Sequence, residues 1–358
     1  MPWQLRYLAV KSLPGCFLRN LNIIVTSGCN LRCKFCNIGA QSARGAKNDT
    51  TPKLENFERN LFGGRTYHSV THVHFSGGEP FLRSDLAELC ELFAAGCPNA
   101  SFSIATNGTL TDRIFDFCRR VSERPYRHRI HIGISLDGLG DLHDEIRGVP
   151  GTYRRVLETI TTVKERYPEF FPILGFTVIP ENVHELRAVG EWAKEKKFTF
   201  YYRMAAESGV YYGDNRGCLT TWDEPKLLEL EESIRGLWAS GVLEFKPQEV
   251  QKVFFRDMVQ SYRMQKRHYD CFAGRCFVFI DSDGNIRPCN MLDYSFGNIA
   301  RDDLLRALRS QPAKEARKYI ARRKCFCWIE CETFNSWGAA EWLGMPIRNQ
   351  LKAYETVP

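Results

Sequence analysis

The sequence lacks long hydrophobic runs. None of the apolar stretches in its 358 residues approaches the roughly 18 residues that a helix needs to span a bilayer. The first 17 residues contain neither a long apolar core nor a small-residue cleavage site, so they do not have the pattern of a secretory signal peptide. These absences predict a cytoplasmic protein that does not cross a membrane.

The sequence also lacks internal repeats, low-complexity segments and any motif typical of nucleic-acid binding. With 49 Lys and Arg against 42 Asp and Glu, the net charge is +7, and the basic excess is concentrated in 119–131 and 314–324. Such clusters are usual on solvated helix faces, and the alternative is attraction for an acidic substrate, peptide or electron-donor protein. We expect no nucleic-acid partner.

Cysteine, in contrast, is abundant, with 14 residues. In a chain without a secretory signal, metal binding explains such a number better than disulfides do. Nine of the 14 fall into two groups, within 29–36 and 271–331. The other five are scattered and are expected to be buried like small apolar side chains: Cys16, Cys90, Cys97, Cys118 and Cys218.

Short runs rich in Val, Ile, Phe and Tyr alternate with amphipathic segments between residues 20 and 205. The predicted strands are Leu21–Thr26, His72–Phe75, Ser101–Ala105, Arg129–Leu136, Ile173–Ile179 and Phe198–Arg203. The predicted helices are Pro52–Phe62, Ser84–Ala95, Thr111–Val121, Thr152–Arg166 and Val183–Lys197. This alternation implies a parallel sheet. Six units predict an α/β fold, a partial (β/α)6 TIM-like barrel, with ligands at the carboxyl ends of its strands.

The alternation stops near residue 205. Beyond it, the pattern predicts two helices, a hairpin that turns at Asp283-Gly284, and a final helix: Thr221–Ser240, Val250–Arg267, Phe277–Pro288 and Asp302–Arg322. We therefore predict three regions, which are a core barrel over 1–205, a helical linker over 206–270, and a small C-terminal domain with a tail over 271–358.

The first cysteine group reads Cys29-Asn-Leu-Arg-Cys33-Lys-Phe-Cys36 and follows the first predicted strand directly. Thiolates are the soft ligands that iron–sulfur clusters and zinc select. Three thiolates from one short loop leave one coordination position of the bound metal centre open, and an open position is typical of catalytic sites. The alternative is a structural zinc ion whose fourth ligand comes from elsewhere, for which His68 and Cys16 are candidates.

With an aromatic residue at Phe35, this C-x3-C-x2-C motif resembles that of the radical S-adenosylmethionine (SAM) superfamily. The resemblance covers roughly 20–205, and further motifs follow in the family's order. It implies a catalytic 4Fe–4S cluster whose open iron chelates SAM. One electron from a flavodoxin- or ferredoxin-type donor would then cleave SAM to a 5′-deoxyadenosyl radical, which abstracts hydrogen from a substrate.

The same resemblance implies contacts to SAM at the ends of successive strands. The Gly77-Gly78-Glu79 segment matches the one that binds the methionyl amino group, and its glycines allow the backbone to approach a ligand closely. Ser135 and Arg147 are expected near the ribose or the SAM carboxylate. The implied cofactor-binding residues are Phe35, Gly77, Gly78, Glu79, Asn107, Ser135, Asp137, Arg147 and Ile179.

The second cysteine group, with its spacing Cys271-x12-Gly284-x4-Cys289, resembles the opening of SPASM and twitch domains, which carry auxiliary clusters. A full SPASM domain uses about seven cysteines, and this sequence offers six, so we expect one auxiliary 4Fe–4S cluster. The preferred ligands are Cys271, Cys289, Cys327 and Cys331, with Cys276 and Cys325 as alternates. A structural zinc ion on the same thiolates is the other interpretation.

The substrate is less constrained. About 20 residues precede the first predicted strand, too few for a leader-recognition module, so we expect a small metabolite of sugar or alcohol type that is oxidised or epimerised. The alternative is a maturase of a ribosomally synthesised peptide, forming a crosslink, thioether or epimer. A more distant possibility is a non-catalytic metal-binding protein. Cys218, after the sixth strand, is a candidate hydrogen donor to a substrate radical.

Overall fold

The computed structural model describes residues 17–44, 51–219, 221–243, 254, 258–267, 269–322, 325–327 and 329–343. Cys16 and residues 250–253 and 255–257 of the predicted helix 250–267 lie outside these residues, as does the side chain of the predicted ligand Cys331. Within the described part of the chain, no helix combines the length and the apolar character that crossing a membrane requires.

Within the described residues, nine strands form one sheet at the centre of the molecule, in the order β6-β5-β4-β3-β2-β1-β7-β8-β9. The strands are β1 Asn20–Ile24, β2 His72–Ser76, β3 Ser101–Thr106, β4 Ile130–Ser135, β5 Ile173–Val178, β6 Thr199–Met204, β7 Phe277–Ile280, β8 Asn285–Arg287 and β9 Gly297–Asn298. The first six pair in parallel with their sequence neighbours. β6 and β9 are edges, so the predicted partial, open barrel is confirmed.

Helices connect the parallel strands, as predicted. The helices bounded within the described residues are α1 Ile38–Ala43, α2 Leu86–Gly96, α3 Thr111–Val121, α4 Asp141–Arg147, α5 Thr152–Arg166, α6 Leu186–Glu195, α7 Glu224–Ala239, α8 Leu304–Leu308, α9 Gln311–Ala321 and α10 Glu330–Trp342, of which the last three follow the sheet. Leu54–Asn56 forms a further helical turn that continues as a π-helix over Phe57–Phe62. The short helices α1 and α4 were not predicted, and neither was α10, which lies where a tail was expected.

The prediction of one continuous helix over 302–322 was wrong, because the chain forms two helices there, α8 and α9. Ser310 caps the second one by accepting a hydrogen bond from the backbone N–H of Ala313. Pro312 stands in the first turn of α9, where its missing N–H costs nothing. In a continuous helix its ring would conflict with the carbonyl of Leu308, four residues earlier.

The core lies between the sheet and its helices. Phe75 of β2 packs edge-on against Phe93 of α2, with ring centroids 5.2 Å apart, and stacks on Phe102 of β3 at 6.3 Å. All three rings are fully buried. Burial of each such side chain stabilises the fold by about 1.5–3 kcal/mol, so this aromatic layer anchors α2 on the sheet.

The opposite face of the same strands points into the barrel and is polar, because side chains alternate along a strand. His74 Nδ1 lies 2.7 Å from Ser103 Oγ, which is also 3.0 Å from His72 Nε2. Burial lowers the pKa of His72 to about 4 and that of His74 to about 3. Both imidazoles are therefore neutral, hydrogen-bonded parts of the barrel interior.

The predicted hairpin of the C-terminal region extends the barrel sheet. β7 pairs in parallel with β1, with Asn20 opposite Phe277, and pairs antiparallel with β8. The predicted turn is confirmed, since Gly284 has a φ of +82° that other residues adopt with strain. Asp281 accepts hydrogen bonds from the N–H groups of Asp283 and Asn285 across this turn. The predicted boundaries of the three regions stay predictions.

Candidate functional site

The three cysteines of the first group lie in one loop at the carboxyl end of β1. Cys29, Cys33 and Cys36 together line a cavity of about 70 Å³. Segments that follow other strands complete its wall, including Gly77, Gly78, Asn107, Ser135, Arg147 and Tyr212. The structure therefore brings residues from the ends of several strands to one point, as expected for this fold.

Helix α4 supports one side of the cysteine loop. The N–H of Arg32 donates to the carbonyl of Arg147 at 3.1 Å, and the N–H of Lys34 donates to that of Ile146 at 2.9 Å. Gly148, directly after the helix, has a φ of +69°, and a Cβ there would lie 2.2 Å from the carbonyl oxygen of Arg32. Only glycine permits this close approach.

The Gly- and Tyr-rich loop after β6 supports the other side. The N–H of Asn37 donates to the carbonyl of Tyr212 at 2.9 Å. The buried side chain of Asn215 donates through Nδ2 to the carbonyl of Phe35 at 2.8 Å. The sequence gave Asn215 no predicted role, because one asparagine in a polar loop carries no distinguishing signal.

The cysteine thiols are held in an environment that opposes their ionisation. Burial raises the pKa of Cys29 and Cys36 to about 12, and it also raises that of Cys33. Arg147 opposes this effect, since its Nη1 lies 3.7 Å from Cys33 Sγ. Buried thiols of this kind become thiolates when a soft metal centre replaces the proton. The donor set and its adjacent cation fit an iron–sulfur cluster.

A single zinc ion fits this loop less well. Among the described residues, no group of three or more His, Cys, Asp or Glu side chains is arranged to hold one metal ion. A four-iron cluster is a larger body and spreads its thiolates further apart. His68 is exposed and precedes β2, so it lies at the opposite end of the parallel sheet from the cysteine loop. Cys16 lies outside the described residues.

The Gly77-Gly78 segment lies directly against the loop after β1. The N–H of Gly78 donates to the carbonyl of Thr26 at 2.9 Å. A Cβ on Gly78 would lie 2.1 Å from the carbonyl oxygen of Gly28 and 3.0 Å from Cys29 Cβ. These glycines thus set the distance between the ends of the first two strands.

Glu79 is fully buried and connects β2 to β3. Its carboxylate accepts hydrogen bonds from Thr106 Oγ1 and from the N–H of Asn107, both at 2.7 Å, and from the N–H of Phe81 at 3.2 Å. Burial raises the pKa of Glu79 to about 7, although these bonds lower it. The geometry gives Glu79 a positioning role, and a contact with the SAM ammonium stays a prediction.

Arg147 forms a buried ion pair behind the cysteine loop. Its Nη2 lies 2.6 Å from Asp137 Oδ2, and its guanidinium lies 5.5 Å above the ring centroid of Phe35. Asp137 Oδ1 also accepts from the N–H of Thr177 at 2.7 Å. Arg147 lines the cavity, whereas Asp137 and Ile179 are buried outside its lining.

Cys218 is exposed. It lines neither the cavity of the three cysteines nor the one between β6 and the second cysteine group. Its role as a hydrogen donor stays a prediction.

The second cysteine group lies beside the hairpin. Cys276, Cys289 and Cys327 are buried, while Cys271 and Cys325 are partly exposed. Cys276 lies at the junction with the barrel, because its carbonyl accepts from the N–H groups that enter β1. Cys325, like Cys271 and Cys327, is close enough to Arg267 to interact with its charge. Of the two alternates, Cys325 therefore shares more of the surroundings of the preferred ligands.

Arg267 was missed by sequence reasoning, since it belongs to no motif. It is 2% exposed, and its Nε and Nη1 have no hydrogen-bond partner among the described residues. A buried guanidinium with open N–H groups beside three thiols indicates that an anionic group belongs there. This arrangement fits an auxiliary cluster bound by thiolates.

A larger cavity, of about 410 Å³, lies between the end of β6 and this second cysteine group. Ala205, Ala206 and Glu207 line its barrel side, and Cys327 and Ile329 line the opposite side. The rest of its wall is largely apolar or aromatic, including Leu219, Trp222, Leu227, Tyr262, Met291 and Phe326. A substrate in this cavity would lie next to the auxiliary region.

The β6 loop also connects the two cysteine regions. The hydroxyls of Tyr211 and Ser76 lie 2.8 Å apart, and the Tyr211 ring packs edge-on against Phe279 of β7 at 5.9 Å. Ser208 Oγ donates to the carbonyl of Asn290 at 2.6 Å, directly after Cys289 in the sequence. One loop thus positions the catalytic cysteine loop and the auxiliary hairpin relative to each other.

Comparison with known proteins identifies relatives over most of the chain. An AdoMet-dependent heme synthase of Methanosarcina barkeri is 26% identical over 304 residues, which cover 81% of this chain and 79% of that protein. The PqqA peptide cyclase of Bradyrhizobium diazoefficiens is 25% identical over 332 residues, 91% of this chain and 76% of that protein. The crystal structure of Streptococcus suis SuiB bound to precursor peptide SuiA has the same fold, with a TM-score of 0.61, 18% identity, and coverage of 87% of this chain and 69% of that one.

Two family models match the two cysteine regions in turn. The model of the radical SAM superfamily matches 23–193, and that of the SPASM iron–sulfur cluster-binding domain matches 271–332. Both matches include the expected cysteines, and together they imply a catalytic and an auxiliary 4Fe–4S cluster and SAM as cofactors. The chain therefore belongs to the radical SAM superfamily and carries a C-terminal SPASM domain.

Proposed function

We propose that this protein is a maturase that abstracts hydrogen from a residue of a ribosomally synthesised peptide. The cluster and SAM together supply a 5′-deoxyadenosyl radical, and the protein positions the peptide beside it. The names of its relatives include a peptide cyclase. They support this alternative better than the sugar or alcohol substrate that the sequence alone favoured.

The observation that carries the proposal is the chemistry of the 410 Å³ cavity. Among the described residues of its lining, Glu207 is the only charged one, and aromatic and aliphatic side chains predominate. A sugar presents many hydroxyl groups, each of which needs a polar partner when it is buried. An apolar wall instead suits the side chain of a peptide residue.

The position of this cavity also suits a peptide. Arg203 and Tyr211 line both the catalytic cavity and a small space inside the barrel, and Ile329 lines both that space and the 410 Å³ cavity. The three spaces are therefore neighbours, separated by a few side chains. A residue held in the larger cavity can approach SAM while the peptide continues past the auxiliary region.

A tetrapyrrole is the second candidate, because a heme synthase is among the relatives. Tetrapyrroles of this kind carry several carboxylates, which proteins usually bind with Arg or Lys. The described lining of the 410 Å³ cavity contains neither residue type. The peptide therefore fits this wall better.

The proposal assigns roles to the expected site residues. Cys29, Cys33 and Cys36 would hold the catalytic cluster. Cys271, Cys289, Cys327 and Cys331 would hold the auxiliary one. Gly77, Gly78, Asn107, Ser135 and Arg147 line the catalytic cavity and would contact SAM. Glu79 and Asp137 would position these groups from behind. A flavodoxin- or ferredoxin-type protein would supply the electron.

The test compares substrates on one preparation of the reconstituted full-length protein. Reduced protein and SAM are incubated with a short peptide encoded beside its gene, an iron porphyrin with free carboxylates, or a panel of sugar alcohols. Each substrate is deuterated at its C–H positions. We expect deuterium to enter 5′-deoxyadenosine from the peptide, with a change in peptide mass or stereochemistry measured by mass spectrometry and chiral amino-acid analysis. If deuterium is transferred only from the porphyrin or only from a sugar alcohol, the peptide is rejected as the substrate.

A further inference from the structure

Arg267 carries an isolated buried charge. Its side chain is one of the largest that are fully buried. Its Nη2 donates to the carbonyl of Ile320 at 2.5 Å, while Nε and Nη1 have no partner within the described residues. No carboxylate in the described part of the chain forms an ion pair with it. A buried cation is costly unless an anion compensates it, so the fold must provide a negative charge nearby.

The anionic candidates whose charges act most strongly on this guanidinium are three cysteines and a tyrosine. Its charge interacts with Cys271, Cys325 and Cys327. It also lies 5.4 Å from the ring centroid of Tyr269, whose hydroxyl is 4.0 Å from Cys327 Sγ. Neutral thiols do not compensate a guanidinium, but thiolates that ligate an iron–sulfur cluster do.

We propose that Arg267 is the counter-charge of the auxiliary cluster and raises its reduction potential. Reduction adds one electron to a cluster that is already anionic, and a buried cation beside it favours the more negative state. Arg267 is thus a positioning residue that makes this cluster a better electron acceptor. The proposal rests on the SPASM assignment and the proposed auxiliary ligands, and it is independent of which substrate the enzyme uses.

Arg317 provides a matched control. It is a buried arginine of the same region, and its Nη1 donates to the carbonyls of Leu308 at 2.8 Å and Gly274 at 3.3 Å. Arg317 is not among the causes of the pKa shifts of Cys271 and Cys325, two of the thiols close to Arg267. Replacing it therefore measures the loss of a buried arginine without the loss of a charge beside the cluster.

The experiment uses the full-length chain with Cys29, Cys33 and Cys36 replaced by Ala, so that only the auxiliary cluster remains. Arg267→Met, Arg267→Lys and Arg317→Met are each introduced into this background. Iron is counted, and the cluster potential is measured by electron paramagnetic resonance during titration with redox mediators. We expect R267M to lower the reduced-to-oxidised ratio at a given potential about tenfold, which is about 59 mV for one electron. R267K and R317M should stay close to the parent.

The outcomes separate charge from packing. If R267M keeps its iron and its potential is unchanged, or if R317M shifts the potential equally, the proposal is overturned. If R267M does not assemble the cluster, retention of iron by R267K and R317M supports the proposal, because the charge alone then restores assembly. Loss of iron from R267K as well as R267M overturns it. A failed search for a peptide substrate would leave every one of these measurements intact.

Discussion

The two cysteine regions bring together similar sets of thiol ligands, but from differently spaced parts of the chain. The catalytic ligands come from one loop of eight residues, Cys29 to Cys36, whereas the proposed auxiliary ligands are spread from Cys271 to Cys331. The catalytic loop is held by its neighbours α4, the Gly77-Gly78 segment and the β6 loop. The auxiliary site needs the hairpin, α9 and α10 to come together. We therefore expect the first site to tolerate distant changes and the second to depend on the whole C-terminal packing.

The two regions also differ in how their cations are compensated. Arg147 lies beside Cys33, and its Nη2 is 2.6 Å from Asp137 Oδ2. The negative charge of Asp137 therefore offsets much of the effect of Arg147 on the thiols. Arg267 beside the auxiliary thiols has no carboxylate partner among the described residues. A cluster at the first site would be harder to reduce than one at the second, other things being equal. This suits a low-potential electron donor at the first and an acceptor at the second.

The largest expected effect is that of removing the catalytic ligands. The reconstituted protein should bind about eight irons per chain from two four-iron clusters. Cys29→Ala, Cys33→Ala and Cys36→Ala together should leave about four and abolish formation of 5′-deoxyadenosine. Iron analysis and chromatography of the products check this. The full iron content in the triple variant would contradict the ligand assignment.

Removing the auxiliary ligands should separate the two sites. Cys271→Ala with Cys289→Ala should also leave about four irons, yet slow cleavage of SAM should persist, because the first loop has its own ligands. Cys90→Ala, at a fully buried cysteine far from both groups in sequence, is the control and should keep all the iron. Cys325→Ala should keep it too if Cys331 is the fourth ligand. Loss of auxiliary iron in that variant would mean that Cys325, and not Cys331, is the fourth ligand.

Gly78→Ala tests how closely the catalytic loop is packed. Its Cβ would lie 2.1 Å from the carbonyl oxygen of Gly28, so the backbone beside Cys29 must shift. We expect weaker SAM binding and loss of iron from the catalytic site alone. Gly338→Ala, on an exposed face of α10 with open space around the new Cβ, is the control and should stabilise the fold by about 0.5–1 kcal/mol. If G78A binds SAM with the affinity of the wild type, the close approach of Gly78 to the carbonyl of Gly28 does not govern SAM binding.

Arg147→Ala should weaken SAM binding with little change in iron content. A lost charge-assisted contact is worth about 1.5–3 kcal/mol, or roughly ten- to a hundredfold in affinity. Equilibrium binding of SAM to the anaerobic protein measures this. Arg187→Ala, which removes only an exposed ion pair with Glu191, should leave the affinity unchanged. Equal affinities in both variants would mean that Arg147 serves only Asp137 and the cysteine loop.

The smallest expected effect is that of Cys218→Ala. The residue is exposed and lies outside the linings of both cavities, so product formation should stay close to that of the parent. Product yield and 5′-deoxyadenosine are measured together. Loss of an epimerised product while 5′-deoxyadenosine continues to form would restore Cys218 as the hydrogen donor.

Much of the fold follows from local sequence patterns. The limits of α3 and α5 were predicted to the residue, and each barrel strand was predicted to within two residues at either end. Each of these elements has apolar residues at the regular spacing of a helix or of a strand, and that spacing is set by the residues of the element itself. The short helices α1 and α4 escaped prediction because they contain too few turns to display a period. The break at Pro312 was readable from Ser310 and the proline, and the prediction overlooked it.

The sequence by itself determined the order of the barrel units, the C-x3-C-x2-C loop and the existence of a second cysteine region, because each depends on residues close together in the chain. Only the tertiary structure decided that β7 joins β1, that Glu79 binds the end of β3, and that Arg267 reaches the auxiliary thiols without a carboxylate. Hydrogen bonds and charge compensation are properties of neighbours in space. No local pattern records which distant residue a buried polar group will meet.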